Sequence, residues 1–314
     1  MIDTIKGYIN LSQYKYEDVK HLLNEGRINK SKKTVAFNLL NFRFTLKFDE
    51  KETPVRLSFN GSLSKYYYGN NLAQLNWDDI EKAINELSDN LNINLNEAIL
   101  TRLDIAVNLT LEKSVNNYIH NLYSTKKKGI LIYNDSITFI STTKDITFYD
   151  KLKELKKNDK NTYHNLPIEL KNKNILRYEL RLKKNLKSHF NTNNFTIEHL
   201  FQLENQHKIV DLWVNHYLKI NTFININAPI SLLKKRNGLK DYLSYIGLKT
   251  IGIEKVINNI QTVDFNVKDI YSKRSKMKKN LNKFIKETKC NLLEDKKIIE
   301  LNNKIELLSK LLKE

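Results

Sequence analysis

Apolar and polar positions alternate in blocks along the first 182 residues, and the blocks read as strands joined by turns. Ile2 to Ile9 alternates as a first strand, and Tyr16 to Leu23 forms a short helix ended near Gly26. Phe42, Phe44, Leu46 and Phe48 alternate with Asn41, Arg43, Thr45 and Lys47. Beyond a turn at Glu50 to Pro54, Val55, Leu57 and Phe59 alternate again, so residues 42 to 60 predict an antiparallel hairpin with one aromatic and one basic face. Asn60 to Asn71, rich in Gly, Ser and Asn around three tyrosines, reads as a loop. Trp77, Ile80, Ile84, Leu87 and Leu91 fall at helical spacing behind Asp78 and Asp79, which predicts an amphipathic helix covering a sheet.

Leu100 to Leu109 is strand-like, and Ser114 to Tyr123 reads as a helix with a serine N-cap. Gly129 to Tyr133 and Ile137 to Ser141 form a second hairpin about Asn134 and Asp135. Ile146 and Phe148 then alternate with Thr147 and Tyr149, and the residues after Asp150 read as a helix, so Tyr149 stands where a strand ends. Asn158 to Lys173 is polar and irregular, a surface loop by pattern, and Asn174 to Leu182 alternates strictly. From Leu186 the pattern is helical, with short extended pieces such as Thr222 to Ile226. A charged helix spans Ser272 to Lys289, and Leu292 to Leu312 has an apolar periodicity fit for docking or pairing.

These elements predict an α+β fold, with a mainly antiparallel sheet built from strands at 2–9, 42–48, 55–60, 100–109, 145–149 and 174–182. Helices 77–91 and 114–123 should lie on the sheet, and a helical C-terminal region should follow after about residue 190. The expected division is therefore residues 1–190 and 191–314. No internal repeat, P-loop or Rossmann glycine pattern is present.

Charge narrows the partner. The 53 Lys and Arg against 35 Asp and Glu leave +18 and a pI near 9.6, a field that gathers polyanions, so nucleic acid is the first candidate. Hydrophobic residues at 40% and aromatics at 10% exclude general disorder. The single cysteine, Cys290, rules out an intramolecular disulfide and a cysteine-based zinc site. The first residues carry acid and base within their apolar alternation and do not read as a signal peptide, and no run reaches the roughly 18 apolar residues of a membrane span. A cytoplasmic protein without a membrane partner is expected.

Several residues carry candidate chemistry. Tyr149, at a strand end with Lys151 and Glu154 close behind, has the placement of a nucleophile held beside a cation and a carboxylate, although most of the 16 tyrosines must pack. Asp104, midway along a central strand, is costly there unless it is paired with Arg102 or Arg177 or bound to a metal. Arg177, Glu179 and Arg181 share one face of their strand, as in a functional face or a salt-bridged edge. Lys65, Tyr67 and Asn70 suit phosphates and unstacked bases, or else belong to a turn closing the core edge. Lys273, Arg274 and Lys276 open a basic run that either tracks a phosphate backbone or is solvated surface.

M-I-D-T-I-K, G-S-L-S-K with G-N-N, L-T-R-L-D-I-A, T-F-Y-D-K-L-K-E and L-R-Y-E-L-R-L-K occur in this order. In them the chain resembles the phage and plasmid replication proteins of the gene II/X family, the rolling-circle initiators of filamentous phages. The likeness spans roughly residues 1 to 215. It implies a rolling-circle endonuclease-like fold and a nicking and joining reaction at a replication origin, in which a tyrosine, by motif Tyr149, leaves a 5′-phosphotyrosine and a free 3′-OH. It implies Mg²⁺ or Mn²⁺ held by Asp104 and Glu179, with Lys151 and Glu154 assisting. The DNA contacts expected beside it are Lys65, Tyr67, Asn70, Arg102, Arg177 and Arg181 within the matching region and, from charge alone, Lys273, Arg274 and Lys276 in the tail. Single-stranded or supercoiled origin DNA and host replication proteins are the implied partners. The chain departs from many rolling-circle initiators in lacking two histidines separated by one hydrophobic residue, and no second tyrosine follows Tyr149 at helical spacing. The other class of function open to these motifs is a non-catalytic DNA-binding replication or packaging factor on the same fold.

Overall fold

The computed structural model describes residues 1–23, 26–29, 33–125, 128–222, 230–234, 236–251, 253–262, 269–287 and 296–313. Its strands are β1 (Ile2–Asn10), β2 (Arg27–Asn29), β3 (Thr34–Leu39), β4 (Phe42–Phe48), β5 (Pro54–Ser62), β6 (Ile99–Leu111), β7 (Leu122–Thr125), β8 (Gly129–Tyr133), β9 (Ser136–Ile140), β10 (Lys144–Asp150), β11 (Asn174–Leu182) and β12 (Ile220–Thr222). Ten of them form one sheet in the order β2-β3-β4-β5-β1-β6-β11-β10-β9-β8, every neighbouring pair antiparallel. The α+β class, the antiparallel sheet and the helical C-terminal region are as the pattern predicts.

The helices are α1 (Tyr16–Val19), α2 (Leu63–Tyr68), α3 (Trp77–Leu91), α4 (Asn116–Ile119), α5 (Lys151–Asn158), α6 (Lys160–His164), α7 (Ile168–Lys171), α8 (Leu186–Phe190), α9 (Leu203–Tyr217), α10 (Gly238–Ile251), α11 (Ile253–Thr262), α12 (Ile270–Glu287) and α13 (Lys296–Leu311). By chain compactness they belong to two units, the first made of Met1–Ile119, Ser124–Ile220 and Asn302–Glu314 and the second of His120–Tyr123 and Asn221–Leu301.

In the first unit one sheet face is apolar. Phe44 pairs with Phe59, Leu103 with Ile5 and Leu182, Ile105 with Leu180, and Tyr178 with Val107 and Phe148. Helix α9 seals this face: Trp213 stacks on Tyr178 at 4.8 Å between ring centroids, Tyr178 stacks on Phe148 at 4.5 Å, and the Tyr178 hydroxyl donates to Trp213 O at 2.7 Å. Each such fully buried side chain contributes roughly 1.5–3 kcal/mol. Gly61 is required in β5 because the Phe42 ring lies where a Cβ would project. The end of α13 docks on the same unit, with Leu312 O accepting from Trp77 Nε1 at 3.0 Å. In the second unit Leu232 and Tyr245 form a small core with Tyr242, Phe284 and Ile285.

Four local expectations are corrected. The stretch after Ser62 is not a loop throughout, because the Ser62 hydroxyl accepts from Lys65 N–H and starts α2, which ends at Gly69 with φ +73°. The helix expected over 114–123 stops after α4, and Leu122 enters β7. The region 158–173 holds α6 and α7, the former capped by Asp159, which accepts from Thr162 N–H at 3.1 Å. The pattern assigns nothing to β2 and β3, which extend the sheet beyond β4. Residues 223–226 of the extended piece, 288–289 and 292–295 of the tail elements, and Cys290 lie outside the described residues.

Candidate active site

Pairing registers assemble a second, polar face on the same sheet. Across β6 and β11, Asp104 faces Arg181, Ala106 faces Glu179 and Asn108 faces Arg177. Across β11 and β10, Glu179 faces Thr147 and Arg177 faces Tyr149, while on β9 Thr138 faces Thr147. On the other flank β1 sets Thr4 against Asp104 and Lys6 against Arg102. Because side chains alternate along a strand, all of these stand opposite the aromatic core. Asp150 closes β10 and caps α5, accepting from Lys153 N–H at 3.1 Å, so Tyr149 is fixed at the rim with Lys151 as the first residue of the helix.

The charges on this face are tied to one another. Arg102 donates to Asp104 through Nε at 2.8 Å and through Nη2. Arg181 bridges the two central acids, Nε to Asp104 at 3.2 Å and Nη2 to Glu179 at 3.0 Å. Asp104 is buried, whereas Arg181 keeps 38% of its side chain exposed and Arg102 26%. Nearer the rim, Arg177 is buried and pairs with Asp3 at 3.1 Å, and it donates to Asn71 O at 2.9 Å and to Asn108 Oδ1 at 3.2 Å. The register shift in β1 between Ile2 and Thr4 brings the Asp3 carboxylate to this position, where it also accepts from the Ser62 hydroxyl at 3.0 Å.

Lys151 is fully buried. Its ammonium donates to Asn71 Oδ1 at 2.6 Å and to Glu154, and it lies 6.0 Å from the Tyr149 ring centroid. Asn71 therefore joins the two cations, accepting from Arg177 on its backbone and from Lys151 on its side chain, and pins the loop after α2 over the Tyr149 end of the face.

These contacts set the ionisation states. Burial pushes the Asp3 carboxyl up, but Arg177 and the Ser62 and Thr4 hydrogen bonds more than offset this and hold it below the ordinary range. Burial and the neighbouring Asp104 charge push Glu179 up, against the pull of Arg177 and Arg181. Burial likewise raises the Tyr149 phenol far above its ordinary value, with Arg177 pulling it down and Glu179, Glu154 and Asp3 pushing it further up. Burial lowers Lys151, opposed by Glu154. At neutral pH the phenol is therefore neutral, and Arg177 is the cation that favours its anion.

The remaining candidates fall elsewhere. Lys65 and the half-buried Tyr67 lie on α2, and Asn70 shapes its loop by accepting from Leu72 N–H at 3.0 Å and Ala73 N–H at 3.3 Å. Lys273, Arg274 and Lys276 are on α12 in the second unit. Asp3, Asn71 and Asn108 are not among the candidates that the sequence offers; the bulge that turns Asp3 inward is invisible in an alternating pattern, and Asn71 differs from Asn70 only by its neighbours.

Among the described residues no group of three His, Cys, Asp or Glu side chains gathers so as to hold a metal ion. Asp104 and Glu179 stand on adjacent strands, close enough for Asp104 to raise Glu179, and supply two hard oxygen donors. That donor set fits a Mg²⁺ or Mn²⁺ ion that keeps water and phosphate for its other positions, provided that Arg181 yields its bridge. No helix among the described residues is long and apolar enough to cross a membrane.

Residues 1–208 match the family model for the N-terminal region of the gene II replication-associated protein of phages. No curated protein and no solved structure is similar enough to match.

Proposed function

Because the chain belongs to the gene II family of phage replication-associated proteins, we propose that it is a rolling-circle initiator that nicks and rejoins one strand of origin DNA in the host cytoplasm. The observation that carries this reading is the position of Tyr149, at the rim of the polar face directly across from Arg177 and two residues along the strands from the Thr147–Glu179 pair. The Tyr149 oxygen attacks the scissile phosphorus, the bond from phosphorus to the 3′ oxygen breaks, and the phenol proton leaves while the 3′ oxygen gains one. One phosphodiester is exchanged for another, so a returning 3′-OH reseals the strand without an external energy source.

Within this scheme Arg177 favours the developing phenolate, and Asp3 holds Arg177 in place. Lys151, buried between Glu154 and Asn71, acts by fixing the loop and the helix start against the tyrosine rather than by meeting solvent. Arg102 and Arg181 receive backbone phosphate in this scheme, which their partial exposure at the face supports. A divalent ion held by Asp104 and Glu179 supplies, when bound, polarisation of the scissile phosphate.

A second reading, a DNA-binding replication or packaging factor without catalysis, is favoured by one specific feature: Asp104 and Glu179 are both held by arginines. The two readings separate on incubation of the protein with single-stranded origin DNA and Mn²⁺. A covalent protein–DNA adduct supports nicking, and binding without adduct supports the second.

A further inference from the structure

A second cluster of cations stands at the far end of the strand pair that carries Tyr149. Lys144 opens β10 opposite Leu182, and Lys183 follows β11, its N–H donating to Thr143 O at 2.8 Å. Lys128 immediately precedes β8, His216 lies in the last turn of α9 with Lys219 just beyond the helix, and His189 lies on α8. These groups act on one another: Lys144 and Lys183 disfavour the charge on Lys128, Lys219 that on Lys144, and Lys144 that on both histidines. The carboxylate among them, Asp145, is taken by Lys183 at 2.9 Å. The Lys128 ammonium is buried and has no hydrogen-bond partner among the described residues.

An ammonium removed from water without an acceptor is costly, and like charges around it add to the cost. Folding alone gives no reason to gather them, whereas an anion with several acceptor oxygens satisfies all of them at once. We propose that Lys128, Lys144 and Lys219 form a phosphate-binding site that holds the DNA backbone away from the scissile bond. Five residue steps of β10 separate Lys144 from Tyr149, about 17 Å. The two alternate to opposite faces of the strand, so DNA joining them rounds the end of the sheet and spans at least about five nucleotides of stacked strand. The site gives the bound strand a second fixed point and hence a direction along β10. It rests on the reading of this chain as a DNA-processing protein but not on the role of Tyr149. Burial, with Lys144, brings Lys128 down to about 8, so bound phosphate should also draw a proton onto it above that pH.

The test uses the full chain and a single-stranded oligonucleotide in EDTA, where binding is read by anisotropy across a salt series without cleavage. Lys128→Gln/Lys144→Gln should weaken binding and flatten the slope of log K against log salt by about 1.4, two contacts at about 0.7 each. Lys144→Arg should keep the wild-type slope, which separates lost charge from lost folding. Unchanged affinity and slope in the double variant overturn the proposal. So does a melting temperature raised by inorganic phosphate in wild type alone while DNA binding stays the same in both, since the site would then serve free phosphate. A changed slope together with no adduct from wild type in Mn²⁺ would instead remove the nicking assignment and leave this site standing.

Discussion

Arg177 lies directly across from Tyr149 in the β10–β11 pairing, and its guanidinium is held from the other side by Asp3 at 3.1 Å. A cation that pulls the phenol toward its anion is thus fixed by a carboxylate on a different strand. Both partners are buried, so removing one leaves the other charged without compensation. Arg177→Met is expected to cost about 3–5 kcal/mol in urea unfolding. Asp3→Asn should cost less, and the double variant should show coupling of the two rather than additivity.

The acid limb of stability reports the same pair. Asp3 is held below its ordinary value of 3.8, so it contributes stability that is present above that pH and is lost as pH falls through its lower folded value. Glu179 has the opposite sign: raised above 4.5, it contributes below that pH, and the contribution disappears as pH rises through the folded value. Melting curves should therefore place Glu179→Gln higher relative to wild type at pH 7 than at pH 4, whereas Asp3→Asn should lose its deficit only in strong acid.

Lys151→Met should destabilise the fold by about 1–3 kcal/mol, because Asn71 Oδ1 loses its donor and Glu154 its ion pair. Hydrogen exchange at residues 69–75 should rise in the variant, since Asn71 ties that loop to the face. Unchanged exchange there would show that Arg177 alone holds the loop.

The tail should make a separate contribution to DNA binding. Reversing Lys273, Arg274 and Lys276 on α12 should weaken binding to every DNA sequence alike and reduce its salt dependence, a change read in the same anisotropy series. Equal loss of sequence preference would contradict a purely electrostatic role.

Where local signals agreed, the sequence was sufficient for the fold. Helix α3 spans Trp77–Leu91 as its spacing predicts, because the Asn76 and Asp79 capping box and the left-handed Asn92 fix both ends. The strict alternation of 174–182 gives β11 in full, and with it the shared face of Arg177, Glu179 and Arg181. Helix α2 was hidden because Ser62 and Gly69, which look like loop residues, act as its two caps. In the site, strand ends and faces were legible for Tyr149, Asp104 and Glu179 one strand at a time, and only the resemblance joined them. The register between strands was not legible, and it alone decides that Arg177 meets Tyr149, that Arg181 spans both acids and that Asp3 enters through a bulge. Burial of Lys151 depends on Asn71, 80 residues away, and no local pattern reports it.

The most direct measurement is the covalent adduct formed with single-stranded origin DNA and Mn²⁺ by wild type and by Tyr149→Phe. No hydrogen bond is among the interactions that shift the Tyr149 phenol, so loss of its hydroxyl should leave stability nearly unchanged. Asp104→Asn provides the comparison: it should bind DNA, cleave poorly and need more metal. Tyr149→Phe should fold and bind DNA as wild type does and form no adduct. Adduct formation by Tyr149→Phe at the wild-type level would contradict the assignment of Tyr149 as the nucleophile.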